Sequence, residues 1–528
     1  MNRESAKNAL RQDICWDIIV IGGGATGLGV AVDAALRGYK TLLLEQADFT
    51  KGTSSRSTKL VHGGVRYLEQ GNVSLVLEAL YERGVLLKNA PHITSNQTFV
   101  IPTFSFWKSM FYATGLKLYD WLSGKLSLGS SKMVEAAIVE KQMPGLKTEG
   151  LKKGILYHDG QFDDARLGIN LAQTCVDAGG TVVNYMKVTG LAKDGQGKLS
   201  GLNALDIESG EEYQLQAKTI VNATGVFSDY ILFMDCPGRK PAIQPSQGVH
   251  IVLDKKFLPS EHALMVPKTK DGRVLFAVPW YGKIVAGTTD TLVDKPSSEP
   301  RALQEEVDFI IDTLGKYLVD KPEPKDVLSV FAGMRPLVRP EAPGQKTKEI
   351  SRSHKITISS SGLVSISGGK WTTYRKMAED TVNVAIQQGA LSPYPCKTSQ
   401  HPIHGYTQSP AHDWLHCYGA DADKIRSIME AEEGTSEKLH PNYPHVKAEV
   451  VWAARQEMAR NVEDVLARRL RILFVDAKAA IDMAQVVAET LAQELNKDTL
   501  WVENQKSGFI QLAQEYLLEP YNPQVSSV

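Results

Sequence analysis

The sequence has no excess of charge of either sign and contains few cysteines. Its 528 residues include 59 Lys plus Arg against 60 Asp plus Glu, and this balance argues against a nucleic-acid-binding protein. No two of the five cysteines form a C-x-x-C pair, so neither a disulfide framework nor a zinc or other metal site is predicted. A reducing compartment is therefore expected. The cysteines are Cys15, Cys175, Cys236, Cys396 and Cys417.

Long apolar runs are also missing. The first residues, MNRESAKNALRQDICWD, have no apolar core of the kind that signal peptides carry, so we expect none. No run of 18 apolar residues occurs, which argues against a transmembrane helix. The D-x-D-x-D-G pattern of a calcium-binding loop is absent as well.

Length and composition are those of a globular protein with more than one domain. A chain of 528 residues exceeds what one hydrophobic core usually supports, so two or three domains are expected. The apolar content of 43% and the charged content of 23% are ordinary for globular proteins.

Residues 17–45 carry the most specific pattern, DIIVIGGGATGLGVAVDAALRGYKTLLLE. The apolar run 18–21 predicts a buried parallel strand. Gly22, Gly24 and Gly27 follow it with the G-x-G-x-x-G spacing that opens a helix. Such glycines permit a tight turn, the approach of a pyrophosphate and close packing of helix on strand. The helix N-terminus would in turn favour an anion.

A second apolar run, 41–44, predicts the next strand and ends at Glu45. This carboxylate is placed to accept a hydrogen bond from a ribose hydroxyl, and its charge disfavours a 2′-phosphate. Strand, helix, second strand and acid together predict a dinucleotide site rather than an ordinary βαβ unit with a glycine-rich turn.

The loop after this unit favours FAD over NAD. Residues 52–67 read GTSSRSTKLVHGGVRY, a polar segment that a longer cofactor needs along its ribityl chain and ring. Its hydroxyls would donate to phosphate and ribityl oxygens, and Gly63-Gly64 would let backbone lie against a flat ring system. A solvated Ser/Thr loop is the alternative on composition. The hydroxyls are those of Ser54, Ser55, Ser57 and Thr58.

Two middle segments return to the same fold. Residues 162–179 have helical apolar spacing, and residues 181–188 predict a strand whose Val188 would hold the adenine end through its backbone. Residues 217–224 predict another buried strand, closed by Gly225. The sequence Ala223-Thr224-Gly225 would bring the chain back beneath the cofactor.

A last segment completes the predicted flavin site. Residues 363–367 predict a strand, Gly368-Gly369 a turn, and 370–380 a helix whose N-terminus would face the pyrimidine edge of the flavin. Lys370 would add a positive charge there or reach the substrate, and the sequence leaves both open. The predicted FAD contacts are Gly22, Gly24, Ala25, Thr26, Gly27, Glu45, Ser54, Ser55, Ser57, Thr58, Leu60, His62, Gly63, Val188, Ala223, Thr224, Gly225, Gly369, Lys370, Trp371 and Thr372.

Four cations lie in segments that adjoin the presumed flavin face: Arg66, Arg335, Arg352 and Lys370. A phosphate monoester carries nearly two negative charges, and guanidinium groups match it with paired hydrogen bonds, each worth roughly 1.5–3 kcal/mol. An amino-acid oxidase usually needs one arginine for its carboxylate. The number of cations therefore favours a small phosphorylated substrate, although any single arginine is more often a surface residue.

Five motifs occur in order along the chain: GGGATGLG, GTSSRSTKLVHGGVRYLE, NATGVFSD, AGMRPL and SGGKWTTYRKMAEDT. The set resembles FAD-dependent glycerol-3-phosphate dehydrogenase of the respiratory type, related to the D-amino-acid-oxidase superfamily. The resemblance covers most of the chain. It implies oxidation of glycerol 3-phosphate to dihydroxyacetone phosphate, with hydride passing from C2 to flavin N5 and electrons then passing to a quinone.

This reaction needs a base for the substrate hydroxyl, and histidine suits it because it titrates near neutrality. His250 in SQGVHIVL is the first choice, and His62 and His354 are the alternatives. Arg335 would assist by stabilising the developing alkoxide. The predicted catalytic residues are His250, Arg335 and His62. The predicted substrate contacts are Arg66, Tyr67, Arg335, Arg352, His354 and Lys370.

We predict an α/β fold with three domains. A discontinuous Rossmann-like FAD-binding domain would comprise residues 15–100, 155–230 and 330–388. An antiparallel β-rich substrate domain would comprise residues 101–154 and 231–329. A Pro/Ser-rich linker after residue 388 would lead to an all-α C-terminal domain, 389–528, where helical spacing is evident in residues 481–495. No catalytic constellation is found in that last domain.

Residues 104–122, FSFWKSMFYATGLKLYDWL, are the most aromatic stretch. One helical face carries Trp107, Phe111, Leu118, Trp121 and Leu122. This face would lie in a bilayer interface or pack within the substrate domain, and we favour the second.

Since a quinone is lipid-soluble, the resemblance still implies peripheral contact with the inner face of the cytoplasmic membrane and a cytoplasmic location. A homodimer is kept among the predictions. The rival interpretations are an oxygen-using glycerol-3-phosphate oxidase, an amino-acid or hydroxyacid oxidoreductase of the same fold, and a non-catalytic nucleotide-binding protein.

Overall fold

The computed structural model describes residues 1–64, 71–270, 272–339 and 354–521. Its elements form two sheets with helices packed on and beside them, followed by a helical C-terminal region.

The first sheet is built on parallel strands. Val364–Ser367, Glu212–Asn222, Cys15–Ile21, Thr41–Leu44 and Thr181–Val183 lie side by side in this order. The central strands are buried on both faces, which explains their continuous apolar sequence. Three helices pack on them, namely Ala25–Leu36, Asp164–Asp177 and Tyr374–Gln388.

Antiparallel strands extend this sheet at two places. Lys355–Ile358 pairs with Val364–Ser367, and the meander Met186–Lys193 and Leu199–Asp206 continues from Glu212–Asn222. The single strand predicted over residues 181–188 is wrong: it is divided into two at Tyr185, which has a positive φ of 55° that no regular strand contains.

The second sheet is mostly antiparallel. Its long pairs join Ile243–Asp254 to Val327–Val338 and Thr94–Thr103 to Lys153–Phe162. The described part of the sheet also contains Leu60–Val61, Lys132–Glu135, Ala263–Val266, Leu275–Trp280, Lys283–Gly287 and Thr291–Leu292. Leu275–Trp280 and Lys283–Gly287 form a hairpin within it.

The predicted domain boundaries stay a prediction. Two strands of the antiparallel sheet lie mostly within the predicted FAD-binding pieces. They are Val327–Val338, which pairs with Ile243–Asp254, and Lys153–Phe162, which pairs with Thr94–Thr103. Within the described residues the chain passes between the two sheets as many times as the predicted boundaries imply, but it does so at different residues.

The C-terminal region is helical, as predicted. It contains Ala422–Ala431, Lys447–Gln456, Ile472–Val475, Ala477–Leu495 and Thr499–Gln514, together with the 3₁₀ segment Trp414–Asp421 and the π-helical segment Asp464–Arg469. The described residues also form the helices Arg3–Leu10, Val73–Asn89, Phe106–Ser123, Ala136–Gln142, Ser228–Asp235 and Gln304–Leu314. Short 3₁₀ turns are Thr53–Ser55, Gly124–Leu126, Gly225–Phe227, Lys255–Phe257, Pro324–Asp326 and Trp371–Thr373. The predicted fold class is confirmed.

The aromatic helix differs from the prediction. Phe106–Ser123 buries Leu116 and Tyr119, whereas Trp107 is 80% and Trp121 76% exposed. The prediction that this face packs within the protein is therefore wrong for most of its residues, because the helix turns its opposite side inwards. Only Leu122 of the predicted face packs against a buried cluster, formed by Val76, Leu80 and Tyr119. No helix among the described residues is long and apolar enough to cross a bilayer.

Candidate active site

A cavity of about 530 Å³ lies at the carboxyl ends of the parallel strands, where such sheets bind their ligands. Cys15–Ile21 leads into it through the glycine-rich turn, and Thr41–Leu44 leads into it through Glu45. Predicted contacts that line it are Gly22, Gly24, Ala25, Thr26, Glu45, Ser54, Val188, Ala223, Thr224, Gly225, Gly369, Lys370 and Trp371.

The glycines of the turn are sterically required. Gly22 has a φ of +108°, and a Cβ on Gly27 would lie 1.9 Å from the carbonyl oxygen of Gly22. Gly27 thus lets the helix Ala25–Leu36 pack directly on the turn, as the G-x-G-x-x-G spacing predicts. The N-terminus of that helix opens on the cavity and favours an anion there.

Glu45 stands at the end of its strand as predicted. Its Oε2 accepts a hydrogen bond from the backbone N–H of Gly23 at 2.6 Å, and its Oε1 accepts one from Ala47 at 2.9 Å. Burial raises the pKa of this carboxyl, and the two N–H groups act in the opposite direction. Each carboxylate oxygen has further acceptor capacity, so a ribose hydroxyl can be bound as well.

Thr50 gives an independent test of whether a cofactor fits. Its hydroxyl oxygen is buried at the cavity and, within the described residues, has no hydrogen-bond partner. A buried polar group without a partner is costly, and an oxygen of a bound phosphate or ribityl chain would supply one. The glycine turn, the helix N-terminus, Glu45 and this hydroxyl together fit an FAD molecule.

The hydroxyl residues of the serine-rich loop differ in their contacts, since one faces the cavity and the others bond within the protein. Ser54 faces the cavity, where its Oγ accepts from the N–H of Ala25 at 2.9 Å and its carbonyl oxygen accepts from Trp371 Nε1 at 2.8 Å. Ser57 instead donates to Asp164 at 2.6 Å. The hydroxyl of Thr58 lies 2.9 Å from Nε2 of His250.

Several predicted FAD contacts therefore lie outside the described cavity lining. They are Gly27, Ser55, Ser57, Thr58, Leu60, His62, Gly63 and Thr372. The geometry counts against direct contact for Ser57 and Thr58, whose hydroxyls are already bonded within the protein. Elsewhere in the group, the N–H of His62 donates to Thr372 at 3.2 Å and that of Gly63 donates to Tyr119 at 2.9 Å.

His250 is buried on strand Ile243–Asp254, with its ring stacked on Phe331 at 5.0 Å. Burial lowers the pKa of His250 to about 3, and the positive charges of Lys59 and Arg335 add to this. The ring is therefore neutral at pH 7. In the described structure its Nδ1 has no hydrogen-bond partner, while Nε2 pairs with Thr58.

Arg335 lies on the same face of the sheet as His250. It stands opposite Ser246 on the paired strand, and a Cβ on Gly248 would lie 2.3 Å from its Nη2. Ser246, Gly248 and His250 alternate on one face. Nη1 of Arg335 donates to Asp290 at 3.2 Å, and Nη2 donates to Thr288 at 3.0 Å. Glycine at 248 thus leaves space for a guanidinium beside the histidine.

The other predicted substrate residues are dispersed. Lys370 lines the cavity, whereas His354 pairs with Asp380 of helix Tyr374–Gln388 at 3.1 Å. Arg66, Tyr67 and Arg352 lie outside the described residues. Substrate binding by these five residues stays a prediction, and the hydrogen bond of His354 to Asp380 counts against its role.

Comparison with family models decides the family. The model of the FAD-dependent oxidoreductases related to D-amino-acid oxidase matches residues 17–375, and the model of the C-terminal domain of alpha-glycerophosphate oxidase matches residues 360–501. The mitochondrial glycerol-3-phosphate dehydrogenase of Arabidopsis thaliana is 39% identical over 98% of this chain and 88% of its own. The chain belongs to the FAD-dependent glycerol-3-phosphate dehydrogenase family.

Other members of this glycerol-3-phosphate dehydrogenase family agree. The mitochondrial enzyme of Schizosaccharomyces pombe is 37% identical over 92% of this chain and 85% of its own, and the human one is 36% identical over 98% and 75%. The structure of the glycerol-3-phosphate dehydrogenase from Bacillus halodurans complexed with FAD has a TM-score of 0.80 at 28% identity, covering 98% of this chain and 99% of its own. The predicted resemblance and FAD as the cofactor are confirmed.

Sequence reasoning missed part of the cavity. Thr50 and Lys51 precede the loop that was singled out, and Phe227 and Tyr230 follow the Ala-Thr-Gly turn. Their positions next to predicted FAD-binding segments could have indicated that they line the cavity. Their residue types could not, since Thr and Lys before a loop usually face water.

Proposed function

We propose that this protein oxidises sn-glycerol 3-phosphate to dihydroxyacetone phosphate and passes the electrons to a membrane quinone. The family to which the chain belongs supports the substrate. The observation that carries the chemistry is the placement of a buried neutral histidine, His250, beside the guanidinium of Arg335 on one face of the antiparallel sheet. Bound FAD would accept the hydride that leaves C2.

His250 is suited to remove the proton of the C2 hydroxyl. A tautomer in which Nε2–H donates to Thr58 leaves the lone pair of Nδ1 free to accept. Burial is the main reason that the pKa of the ring is low before substrate binds, and the charges of Lys59 and Arg335 lower it further. The negative charge of a phosphate near Arg335 would offset them and make the ring a stronger base.

Arg335 is suited to bind the anionic substrate and to stabilise the alkoxide that forms as the proton leaves. Its guanidinium is partly exposed and is held by Asp290, Thr288 and backbone carbonyl oxygens. A group that is fixed before substrate binds loses little entropy on binding. Lys370, at the start of the last cavity-lining turn, adds a second positive charge.

The experiment is anaerobic reduction of the bound flavin, followed by loss of its absorbance. Glycerol 3-phosphate should bleach the flavin, and glycerol should not. Arg335→Ala should require at least tenfold more glycerol 3-phosphate while retaining its FAD. Arg426→Ala, which removes a surface arginine paired with Asp413 and Asp423, should behave as the wild type. Equal bleaching by glycerol would contradict the proposal.

An exposed surface supports peripheral membrane contact. The aromatic face of helix Phe106–Ser123 carries exposed side chains, and the neighbouring helix Val73–Asn89 adds exposed Leu77 and Tyr81. Exposed apolar patches of this kind are rare except at interaction sites, and tryptophan is enriched at the bilayer interface. The aromatic face consists of Phe106, Trp107, Met110, Phe111, Leu118 and Trp121. We propose that this surface binds the inner face of the cytoplasmic membrane, which holds the quinone.

The second candidate uses oxygen as acceptor. The observation that favours it is the match of residues 360–501 to the C-terminal domain of alpha-glycerophosphate oxidase. After anaerobic bleaching, a short-chain quinone should restore the flavin absorbance much faster than air-saturated buffer does. The reverse order would favour the oxidase.

A further inference from the structure

The cofactor loop, residues 46–59, has two faces. Gln46, Ala47 and residues 50–54 line the cavity, whereas Asp48, Ser55 and Arg56 point away from it. The opposite face is covered by the C-terminal helical region, more than 400 residues later in the chain. Charged groups make several of the contacts between the two.

Asp48 is the first of these contacts. It is fully buried and accepts from Arg468 Nε at 2.5 Å and from Arg469 Nη2 at 3.0 Å. Burial by itself would raise the pKa of this carboxyl, but the charges of Arg469 and Arg468 lower it below its usual range. Both arginines are also buried, and Asp48 shares the compensation of their charges with other carboxylates, namely Glu463 and Asp464 at Arg468 and Glu457 at Arg469.

Ser55 is the second contact. Its carbonyl oxygen accepts from Arg471 Nη2 at 2.9 Å and from Lys59 Nζ at 2.8 Å. Asp164 bridges the same two cations, with one oxygen 2.7 Å from each. Arg471 adopts the left-handed backbone conformation, with φ of 67° and ψ of 2°, which few arginines adopt and which directs its side chain to the loop.

Lys51 is the third contact, and it lies within the cavity lining itself. Its ammonium group is 2.6 Å from Glu463 of the C-terminal region and 3.2 Å from Glu299. Arg56 pairs with the same Glu299 at 2.6 Å and lies over the rings of Phe474 and Tyr516. Asp48, Lys51, Ser55 and Arg56 are thus tied to one C-terminal surface.

We propose that the arginine cluster Arg468, Arg469 and Arg471 positions the cofactor loop for FAD binding. The C-terminal region then forms the outer support of the flavin site, with Arg471 as the main positioning residue. Without Arg471, the carbonyl oxygen of Ser55 loses a donor that fixes it, and Asp164 loses one of its two cations. The cavity face of the loop is then no longer held in place. This inference rests on FAD as cofactor and is independent of the substrate and the electron acceptor.

The test measures FAD affinity of the apoprotein by flavin fluorescence quenching. Arg471→Met should bind FAD at least tenfold more weakly than the wild type, and Arg471→Lys should recover part of the loss because it keeps the charge but not both donors. Arg3→Met is the matched control: it also removes a buried arginine–aspartate pair, with Asp206, but does not touch the loop. It should lower the urea midpoint and leave FAD affinity within twofold of wild type.

Tryptic cleavage after Lys51, followed by mass spectrometry in the apoproteins, should rise in Arg471→Met and not in Arg3→Met. Wild-type FAD affinity in folded Arg471→Met, or an equal loss of affinity in the two variants, would overturn the proposal. If Arg471→Met does not fold, Glu463→Gln decides, since it removes one charge from the contact with Lys51. A severalfold loss of FAD affinity there supports the proposal, and unchanged affinity overturns it.

Discussion

Position 27 shows how strictly a single residue can be specified by its neighbours. An added Cβ would meet the carbonyl oxygen of Gly22 at 1.9 Å, and backbone cannot give way as a flexible side chain would. Gly27→Ala should therefore move the helix away from the turn and weaken FAD binding at least tenfold, or about 1.4 kcal/mol. Flavin content after purification and FAD titration measure this. Gly508→Ala, where the added methyl meets open space, is the control, and an unchanged FAD affinity in Gly27→Ala would contradict the prediction.

His92 makes a prediction about acid stability. Burial lowers its pKa from 6.5 to about 4, although the hydrogen bond with Asn170 acts in the opposite direction. Between these two values the unfolded chain binds more protons than the folded one. The stabilisation from this group is therefore complete above pH 6.5 and is lost as the pH falls towards 4.

Urea unfolding at pH 7 and pH 5 tests this linkage. His92 should contribute about 2 kcal/mol to the difference in the free energy of unfolding, at 1.36 kcal/mol per pKa unit. His92→Gln should remove that contribution, whereas His412→Gln, at an exposed position, should not. An unchanged pH dependence in His92→Gln would show that other groups cause it.

For individual residues, the sequence predicted those that line the FAD cavity better than those that hold the cofactor loop from behind. Gly22, Gly27 and Glu45 act locally, so spacing alone was sufficient to place them. The arginines at 468, 469 and 471 look like a solvated charge run, and they are buried only because Asp48 and Asp164, hundreds of positions away, come to meet them. A partner so distant in the chain leaves no periodic signal.

At the scale of elements, helix Phe106–Ser123 shows the limit of periodicity. The spacing correctly predicts that Trp107, Phe111 and Trp121 share a face, but amphipathic patterns do not say whether protein, lipid or water covers that face. The answer depends on which side meets the antiparallel sheet, where Leu116 and Tyr119 are buried. The prediction of one strand over residues 181–188 failed for a similar reason, since an apolar run gives no sign that one residue, Tyr185, has a positive φ.

The aromatic face predicts lipid binding that salt does not reverse. Trp107→Glu combined with Trp121→Glu should reduce co-sedimentation with liposomes at least tenfold, because two large apolar groups leave the interface. FAD content should be unchanged, since both side chains are exposed. Leu500→Glu removes an exposed apolar group outside this face and serves as control. A wild type that stays in the supernatant at low and high salt would contradict the prediction.

At the scale of the whole molecule, buried ion pairs join the sheets to the C-terminal helices. Arg166 of helix Asp164–Asp177 pairs with Glu457, and Arg471 pairs with Asp164. Separating these groups would leave uncompensated charges in an apolar interior, which costs several kcal/mol for each pair. The regions are therefore expected to unfold together.

Denaturation should accordingly show one transition. Tryptophan fluorescence, helical circular dichroism and FAD release should have the same urea midpoint, and FAD at 100 times its dissociation constant should stabilise the whole protein by about 2.7 kcal/mol. Loss of helical signal before FAD release would show that the C-terminal region unfolds independently.

The support of the cofactor loop by residues 463–471 bears on how the protein is made. Synthesis proceeds from the N-terminus, so the glycine turn and Glu45 leave the ribosome long before Arg471 does. A nascent chain can then fold its first sheet while Asp48 and Ser55 still lack their C-terminal partners. Stable cofactor incorporation is accordingly expected only after translation of the C-terminal helices, and a prematurely terminated chain would be released without flavin.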